Sequence, residues 1–465
     1  MSSKGKALKA GIWYTISNFL NRACSMILTP IMTRLLTTEE YGEFANFSSW
    51  SSILMVITTL DMTQIVIRAK YDYEDTYDDY MSSIMTVNIG FTALCHFIIV
   101  LFQSQFTQLF DMDIQYINML FVYLYFTPAL TYYSSQQRAL MKYKLASIAT
   151  LVKNIMAMAL SILFCFMFED RLWGRTIGFI VPSIVIGGVI YLHFIRRSRT
   201  VSWEAIKYTL KMSIPLIPHT LSVRVLNQSD RIVIKKYHSS KDVAIYSLGY
   251  SLSQIIYMFF SAILSAYVPY MYEEIEKGNK ESIRKSWRLL GATMLLIVAG
   301  IIAIAPEVIL IFGGRAYSEV VVVLPAILVG VYLDFLSAIY VKFEHYMRKS
   351  LMTSVGSLIA AGVNLSLNLI LVPRFGYHMA AYTTLIAYMM VFLIHFTIVS
   401  RTQYCNWVDN KSSFVMIGIS FLIIPLGEIL YNMNVIRYIV IILYIIIVLA
   451  LAYRYMKDLK KMLEK

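Results

Sequence analysis

The sequence is poor in charge. Asp, Glu, Lys and Arg make up 15% of its 465 residues, against roughly a quarter in soluble domains. A chain so short of charge cannot cover a water-facing surface, which excludes a soluble enzyme or binding module. Cysteine is scarce as well. Cys24, Cys95, Cys165 and Cys405 stand apart, in no disulfide or metal-ligand spacing. His193, His219 and His395 have no ligand spacing either, so neither a metal nor a cofactor is expected. The chain has no glycine-rich phosphate loop and no nucleophile–base pair, and it is not expected to be an enzyme. The enzyme alternative, a membrane glycan polymerase, would group polar residues in a large extramembrane loop, and no loop is long enough. A net charge of +13 raises the question of nucleic acid. No basic domain carries that charge; Lys and Arg sit in short segments between apolar runs, and no nucleic-acid partner is expected.

What the sequence has in abundance is apolar length. Hydrophobic residues make up 58% and the mean hydropathy is +0.62. A bilayer core needs about 20 apolar residues per helical span, and open sheets cannot cross it because their backbone groups would go unsatisfied. The runs are long and continuous rather than alternating, so the fold class is an all-α integral membrane protein. About fourteen spans are expected, the second near 43–67, the seventh near 212–236, the eighth near 244–270 and the ninth near 289–312. The run after Lys4–Lys9 continues past Leu36 with no small-residue cleavage site, so it is read as a first span and not a cleaved signal. Placing the basic segments inside, including Arg196, Arg197, Arg199, Arg284, Lys285, Arg288 and the tail from Arg454, predicts both termini in the cytoplasm. The 196–211 and 273–288 segments fall on the same side of the cell (inner) membrane.

The chain also repeats. A shift of 202 residues places Leu35–Gly42 on Tyr237–Ala244, each between two spans, and a shift of 206 places Met141–Leu145 on Met347–Leu351. The expected organisation is two pseudo-symmetric six-helix lobes, 1–200 and 201–401, around a central cavity. Residues 402–465 add two further spans and a basic tail. Six is even, so the lobes are parallel repeats, as in several transporter classes.

Three stretches carry a family resemblance. They are Leu28-Thr29-Pro30 through Arg34-Leu35-Leu36-Thr37-Thr38-Glu39-Glu40-Tyr41-Gly42; Pro215-Leu216-Ile217-Pro218-His219 through Ser229-Asp230-Arg231 and Ala244-Ile245-Tyr246-Ser247; and Leu371-Val372-Pro373-Arg374-Phe375-Gly376 through Ala380-Ala381. Together they resemble the polysaccharide (Wzx-type) flippases of the multidrug/oligosaccharidyl-lipid/polysaccharide exporter superfamily. Tyr377, His378 and Met379 depart from the small residues usual in the third stretch. The resemblance implies alternating access and a cargo of undecaprenyl-pyrophosphate-linked oligosaccharide, carried to the outer leaflet for surface polysaccharide synthesis. The alternatives are a lipid II flippase, whose cargo has the same pyrophosphate, and a multidrug exporter, whose cavity should be acidic. The partners expected are that lipid-linked glycan, membrane lipids and a coupling ion, H+ or Na+.

Charges deep in the bilayer are costly and usually face a cavity or a partner. Arg22 and Arg224 stand 202 residues apart, each about 18 Å into its span at roughly 1.5 Å per residue. Around them run polar stripes at helical spacing, Asn18, Arg22 and Ser25 in span 1 and Thr220, Arg224 and Asn227 in span 7. Guanidinium forks bind phosphate oxygens bidentately and stay charged, so these residues are the expected substrate-binding wall. Lys153 adds a third cation, and Arg68 continues a stripe with Asp61 and Gln64 on span 2. Asp61, Asp230, Arg231 and Asp334 are the expected gate residues or charge partners. The plainer reading is that Arg22 or Arg224 bridges an acid such as Asp61 or Asp334.

Overall fold

Short polar segments interrupt the apolar runs, and their side chains start the helices that follow. Thr37 and Glu40 form a reciprocal capping box at the second helix: Glu40 N–H donates to Thr37 Oγ1 at 3.2 Å and Thr37 N–H to Glu40 Oε2 at 2.7 Å. Ser239 and Asp242, 202 residues later, repeat the device with bonds of 3.2 and 3.1 Å. Asp170, Asn279 and Asp409 cap three more helices through their side chains.

The computed structural model describes the backbone of residues 3–198, 200–348 and 350–463. It describes side chains from Trp13 onward, other than those of 14–16, 18, 143, 199, 349–351 and 451–465. The basic groups Lys4, Lys6, Lys9 and Arg199 and the tail from Arg454 therefore lie outside the described side chains. Among the described residues all regular structure is helical. Fourteen long helices follow the chain: α1 Ser3–Leu35, α2 Thr38–Thr59, α3 Tyr77–Leu101, α4 Ile114–Ala139, α5 Tyr143–Met167, α6 Arg171–Arg197 and α7 Ile217–Tyr237, then α8 Ser240–Glu276, α9 Lys280–Ala303, α10 Val320–Tyr346, α11 Ser350–Phe375, α12 Met379–Ser400, α13 Asn410–Tyr431 and α14 Asn434–Leu463. They correspond one to one with the expected spans. Among the described residues, nine are long and apolar enough to cross a bilayer by length and composition alone. The helices α2, α4 and α7 are not among the nine, and these are the ones that line the polar cavity described below.

Several boundaries move. The eighth span extends well beyond 244–270, and the expected 273–288 loop is two helix ends joined at Gly278, whose φ of +73° suits glycine. The ninth stops at Ala303, before a separate short helix Ala305–Phe312. The second is broken. Its helix ends at Thr59, Leu60 and Asp61 are left-handed (φ 50° and 49°), and a short turn Met62–Gln64 leads into a separate helix Val66–Asp72. Asp61, Gln64 and Arg68 therefore do not share one helical stripe.

The helices group into two units. The first comprises Met1–Ser251 and Ser350–Ala387, with α5 against α6, α7 against α11, α4 against α6, α1 against α5 and α2 against α7 as its main pairs. Its interior includes a cluster around Tyr80, Tyr132 and Phe194 and another around Phe47, Leu120 and Phe121. The second comprises Leu252–Lys349 and Tyr388–Lys465. There α10 is enclosed nearly all round, with Phe335 stacked on Trp287 at 5.1 Å and Tyr332 donating to the Gly291 carbonyl at 3.2 Å.

Candidate functional site

The break in α2 opens the site. Ending a helix inside a membrane protein frees carbonyls that lipid cannot satisfy. Two neighbours take them up: Asn88 Nδ2 donates to the Thr58 carbonyl at 2.9 Å and Tyr132 Oη to the Thr59 carbonyl at 3.4 Å. With the ladder closed off, the left-handed Asp61 turns toward α7 and accepts from Thr220 Oγ1 at 2.6 Å. Beside this contact lies a cavity of about 390 Å³. Its polar lining comes from Ser51 and Thr59 of α2, Asp61 and Gln64, Ser135 and Arg138 of α4, and Thr220 and Arg224 of α7.

Two guanidinium groups thus share one cavity. Arg224 makes no hydrogen bond or ion pair among the described residues, and Arg138 donates to Ser135 Oγ at 2.7 Å. Asp61 makes no ion pair among the described residues; its carboxylate is engaged by the Thr220 hydroxyl instead of by Arg22, Arg68 or Arg224. The sequence reading missed Arg138, which it left at the end of span 4. Its signal was a stripe, Thr131, Ser135 and Arg138, at helical spacing.

The other expected residues lie elsewhere. Lys153 sits over the rings of Tyr123 and Phe179, at 5.5 and 5.8 Å, and Tyr123 lines the cavity. Arg22 is half-buried, and its enclosed Nη1 has no hydrogen-bond partner among the described residues; the neighbouring Asn21 ties α1 to Asn154 of α5 at 2.9 Å. The Ser25 hydroxyl is exposed and bonds back to the Asn21 carbonyl. Asn227 accepts from Tyr250 at 2.7 Å. Arg68 pairs in the open with Asp72 at 3.6 Å. The Asn18 side chain lies outside the described residues.

Beyond Arg224, the α2–α7 seam is shut. Ser49 donates to Gln228 at 3.2 Å, Gln228 accepts from Arg231 at 3.0 Å, and Arg231 also donates to Ser247 at 3.1 Å. Further along, Lys235 ion-pairs with Glu43 and lies 3.7 Å from Asp111, while Ser240 Oγ donates to Glu43 at 2.6 Å. Gly42 meets the backbone of Ser240 so closely that a Cβ there would sit 1.8 Å from its carbonyl oxygen.

The remaining acids are enclosed. Asp230, fully buried, accepts from Asn368 at 2.6 Å, from Thr384 at 2.8 Å and from Tyr246. Asn368 in turn accepts from Thr383 at 2.5 Å and Asn364 donates to Thr384 at 3.1 Å. This knot joins α7 to α8, α11 and α12. In the second unit, Asp334 accepts from Tyr257 at 3.1 Å, and Tyr257 meets Tyr388 at 3.3 Å.

The polysaccharide biosynthesis protein family matches residues 7–275. The chain belongs to that family. The family lies within the multidrug/oligosaccharidyl-lipid/polysaccharide exporter superfamily, whose MatE family matches residues 215–370, and its members are membrane transporters or flippases. Protein 1 of the Lsg locus of Haemophilus influenzae is 22% identical over 76% of the chain and 88% of its own length. Among solved structures, the lipid II flippase MurJ in an inward closed conformation aligns with a TM-score of 0.74 at 15% identity, over 96% of this chain and 99% of that one. A Vibrio cholerae MATE transporter mutant gives 0.54 at 12%, over 87% and 98%. These structures share the fold.

Proposed function

We propose that the protein carries a lipid-linked oligosaccharide on undecaprenyl pyrophosphate from the inner to the outer leaflet of the cell membrane, by alternating access between lobes 1–200 and 201–401. The observation that carries this reading is the pair Arg138 and Arg224 in one polar cavity beside an acid already engaged by a hydroxyl. A pyrophosphate headgroup must shed water to cross, and guanidinium forks replace that hydration. A cation-binding drug exporter would need the opposite polarity.

In this scheme both termini are cytoplasmic and Asp61, Arg138 and Arg224 face the loading side. The sealed seam from Ser49 to Glu43–Lys235 is the outer gate, with Arg231 inside it, and residues 402–465 stand outside the repeat. The lipid tail stays in the bilayer. The driving ion is H+ or Na+. The decisive experiment is mass spectrometry of lipids retained by the purified protein. Undecaprenyl pyrophosphate bearing an oligosaccharide supports the proposal, lipid II reassigns the cargo, and absence of any pyrophosphate lipid overturns both.

A further inference from the structure

At its Glu43–Lys235 end the seam borders a second cavity, of about 600 Å³, within the usual range of ligand sites, roughly 300–1,000 Å³. Its walls are fixed by local contacts. Asn46 of α2 donates to the Phe110 carbonyl at 2.9 Å and Trp50 packs on the Phe110 ring at 4.4 Å, which holds the short helix Gln103–Phe110 against α2. Asp170, which caps α6, accepts from Tyr116 of α4 at 3.3 Å, and the Tyr116 ring lies 5.8 Å from that of Trp173.

This cavity is opposite in charge to the one at Arg224. Glu40, Glu43, Asp111, Asp113 and Asp170 line it with one cation, Lys235. The carboxylates do not stand alone: the amides of Gln108 and Gln115, the Thr107 hydroxyl and the rings of Phe47 and Tyr116 share the lining. Among the described residues no three acids come together as metal ligands. Sugars suit such a mixture, because their hydroxyls donate to carboxylates and amides and their apolar C–H faces lie against aromatic rings.

Lys235 shows what the carboxylates accept. Its ammonium ion-pairs with Glu43, lies 3.7 Å from Asp111 and donates to Ser240 Oγ at 2.7 Å. It comes from α7, in the second half of the sequence repeat, while every other lining residue lies between 40 and 176, in the first. Parting α2 from α7 therefore withdraws the ammonium and leaves Glu43 and Asp111 without their donor. Asp113 is open already, since it precedes α4 and makes no capping bond with its side chain.

We infer that this cavity receives the glycan of the cargo on the outer side, binding neutral or amino sugars and rejecting acidic ones. A sugar hydroxyl or ammonium takes the place of Lys235. A sugar carboxylate would face five like groups, and like-charge juxtaposition excludes wrong partners. When the seam closes, Lys235 returns to Glu43 and displaces the sugar.

The outer side and the origin of the glycan rest on the reading above; the sugar selectivity of the cavity does not, and the tests keep them apart. Purified protein in lipid nanodiscs is titrated with the disaccharides of glucosamine, N-acetylglucosamine and galacturonic acid, and binding is read by ligand-observed NMR. The first two should bind and the third should not. Lys235→Ala should bind the glucosamine disaccharide several-fold more tightly than wild type. Asp111→Asn combined with Asp113→Asn should bind it about tenfold more weakly, the effect of losing one charge-assisted hydrogen bond. Asparagine tolerates the left-handed backbone of Asp111; should the double variant melt early, Asp113→Asn alone is read in its place. No binding of the first two sugars, equal binding of the acidic one, unaltered affinity in the Asn variant, or tighter binding of the lipophilic cation tetraphenylphosphonium overturns the inference.

Placement is tested with Gln108→Cys. An impermeant maleimide added to intact cells should label it, and the glucosamine disaccharide should slow the labelling; labelling confined to inverted vesicles overturns the outer position. Among lipids retained by the purified protein, a pyrophosphate lipid bearing acidic sugars overturns the selectivity and leaves the cargo reading standing. Disaccharide binding with no pyrophosphate lipid retained does the reverse.

Discussion

Arg138 and Arg224 face the same cavity, while Arg68 lies in an exposed ion pair, and the difference sets their expected weights. A charge-assisted hydrogen bond to a headgroup contributes about 1.5–3 kcal/mol. Arg138→Gln or Arg224→Gln should therefore slow pyrophosphate-lipid transport roughly tenfold or more, with expression unchanged. An exposed pair such as Arg68–Asp72 (68% and 41% exposed) contributes about 0–1 kcal/mol, and Arg68→Gln should leave the rate nearly unaltered. Equal losses in all three variants would remove the cavity arginines from the site. Gly42 makes a second prediction. An alanine methyl would collide with the Ser240 backbone, which cannot swing aside as a side-chain tip does. Overpacking of this kind costs about 1–3 kcal/mol. Gly42→Ala should lower the thermal stability of the purified protein, measured by melting.

At the scale of the element, α2 carries the most information. Its break falls at Leu60–Asp61 with no glycine or proline to announce it, and non-glycine residues with positive φ persist only where surroundings hold them. The holding contacts are Asn88 on Thr58, Tyr132 on Thr59 and Thr220 on Asp61. Asn88→Ala would strand a buried carbonyl at a cost of about 1–3 kcal/mol. Hydrogen exchange near residues 58–64 should accelerate in that variant, and transport should fall although residue 88 touches no cargo. Unchanged exchange would mean that the break is fixed by the chain itself.

For the whole molecule, the seam between α2 and α7 decides whether access alternates. Glu43 and Lys235 belong to the two halves of the sequence repeat and meet at the sealed end. Cysteines at positions 43 and 235 joined by an oxidant should arrest transport, and reduction should restore it. Full transport by the crosslinked protein would rule out opening at this seam.

The sequence by itself determined the helices and their number. Apolar length is a local property that a bilayer reads directly, and every expected span is matched by a long helix. Capping boxes are local too: Thr37 with Glu40 and Ser239 with Asp242 are each three residues apart. Thr220, Arg224 and Asp61 were legible as candidates, since charge in an apolar run stands out. Their partners were not. Asp61 meets a threonine rather than an arginine, Arg138 joins the cavity from a helix end, and Glu344 finds His395 across 51 residues of sequence. Which polar groups meet, and where a continuous apolar run must break, are set by contacts between helices. Only the tertiary structure decides those, because a buried donor or acceptor is stable wherever it finds a partner, and one-dimensional spacing does not say where that partner will be.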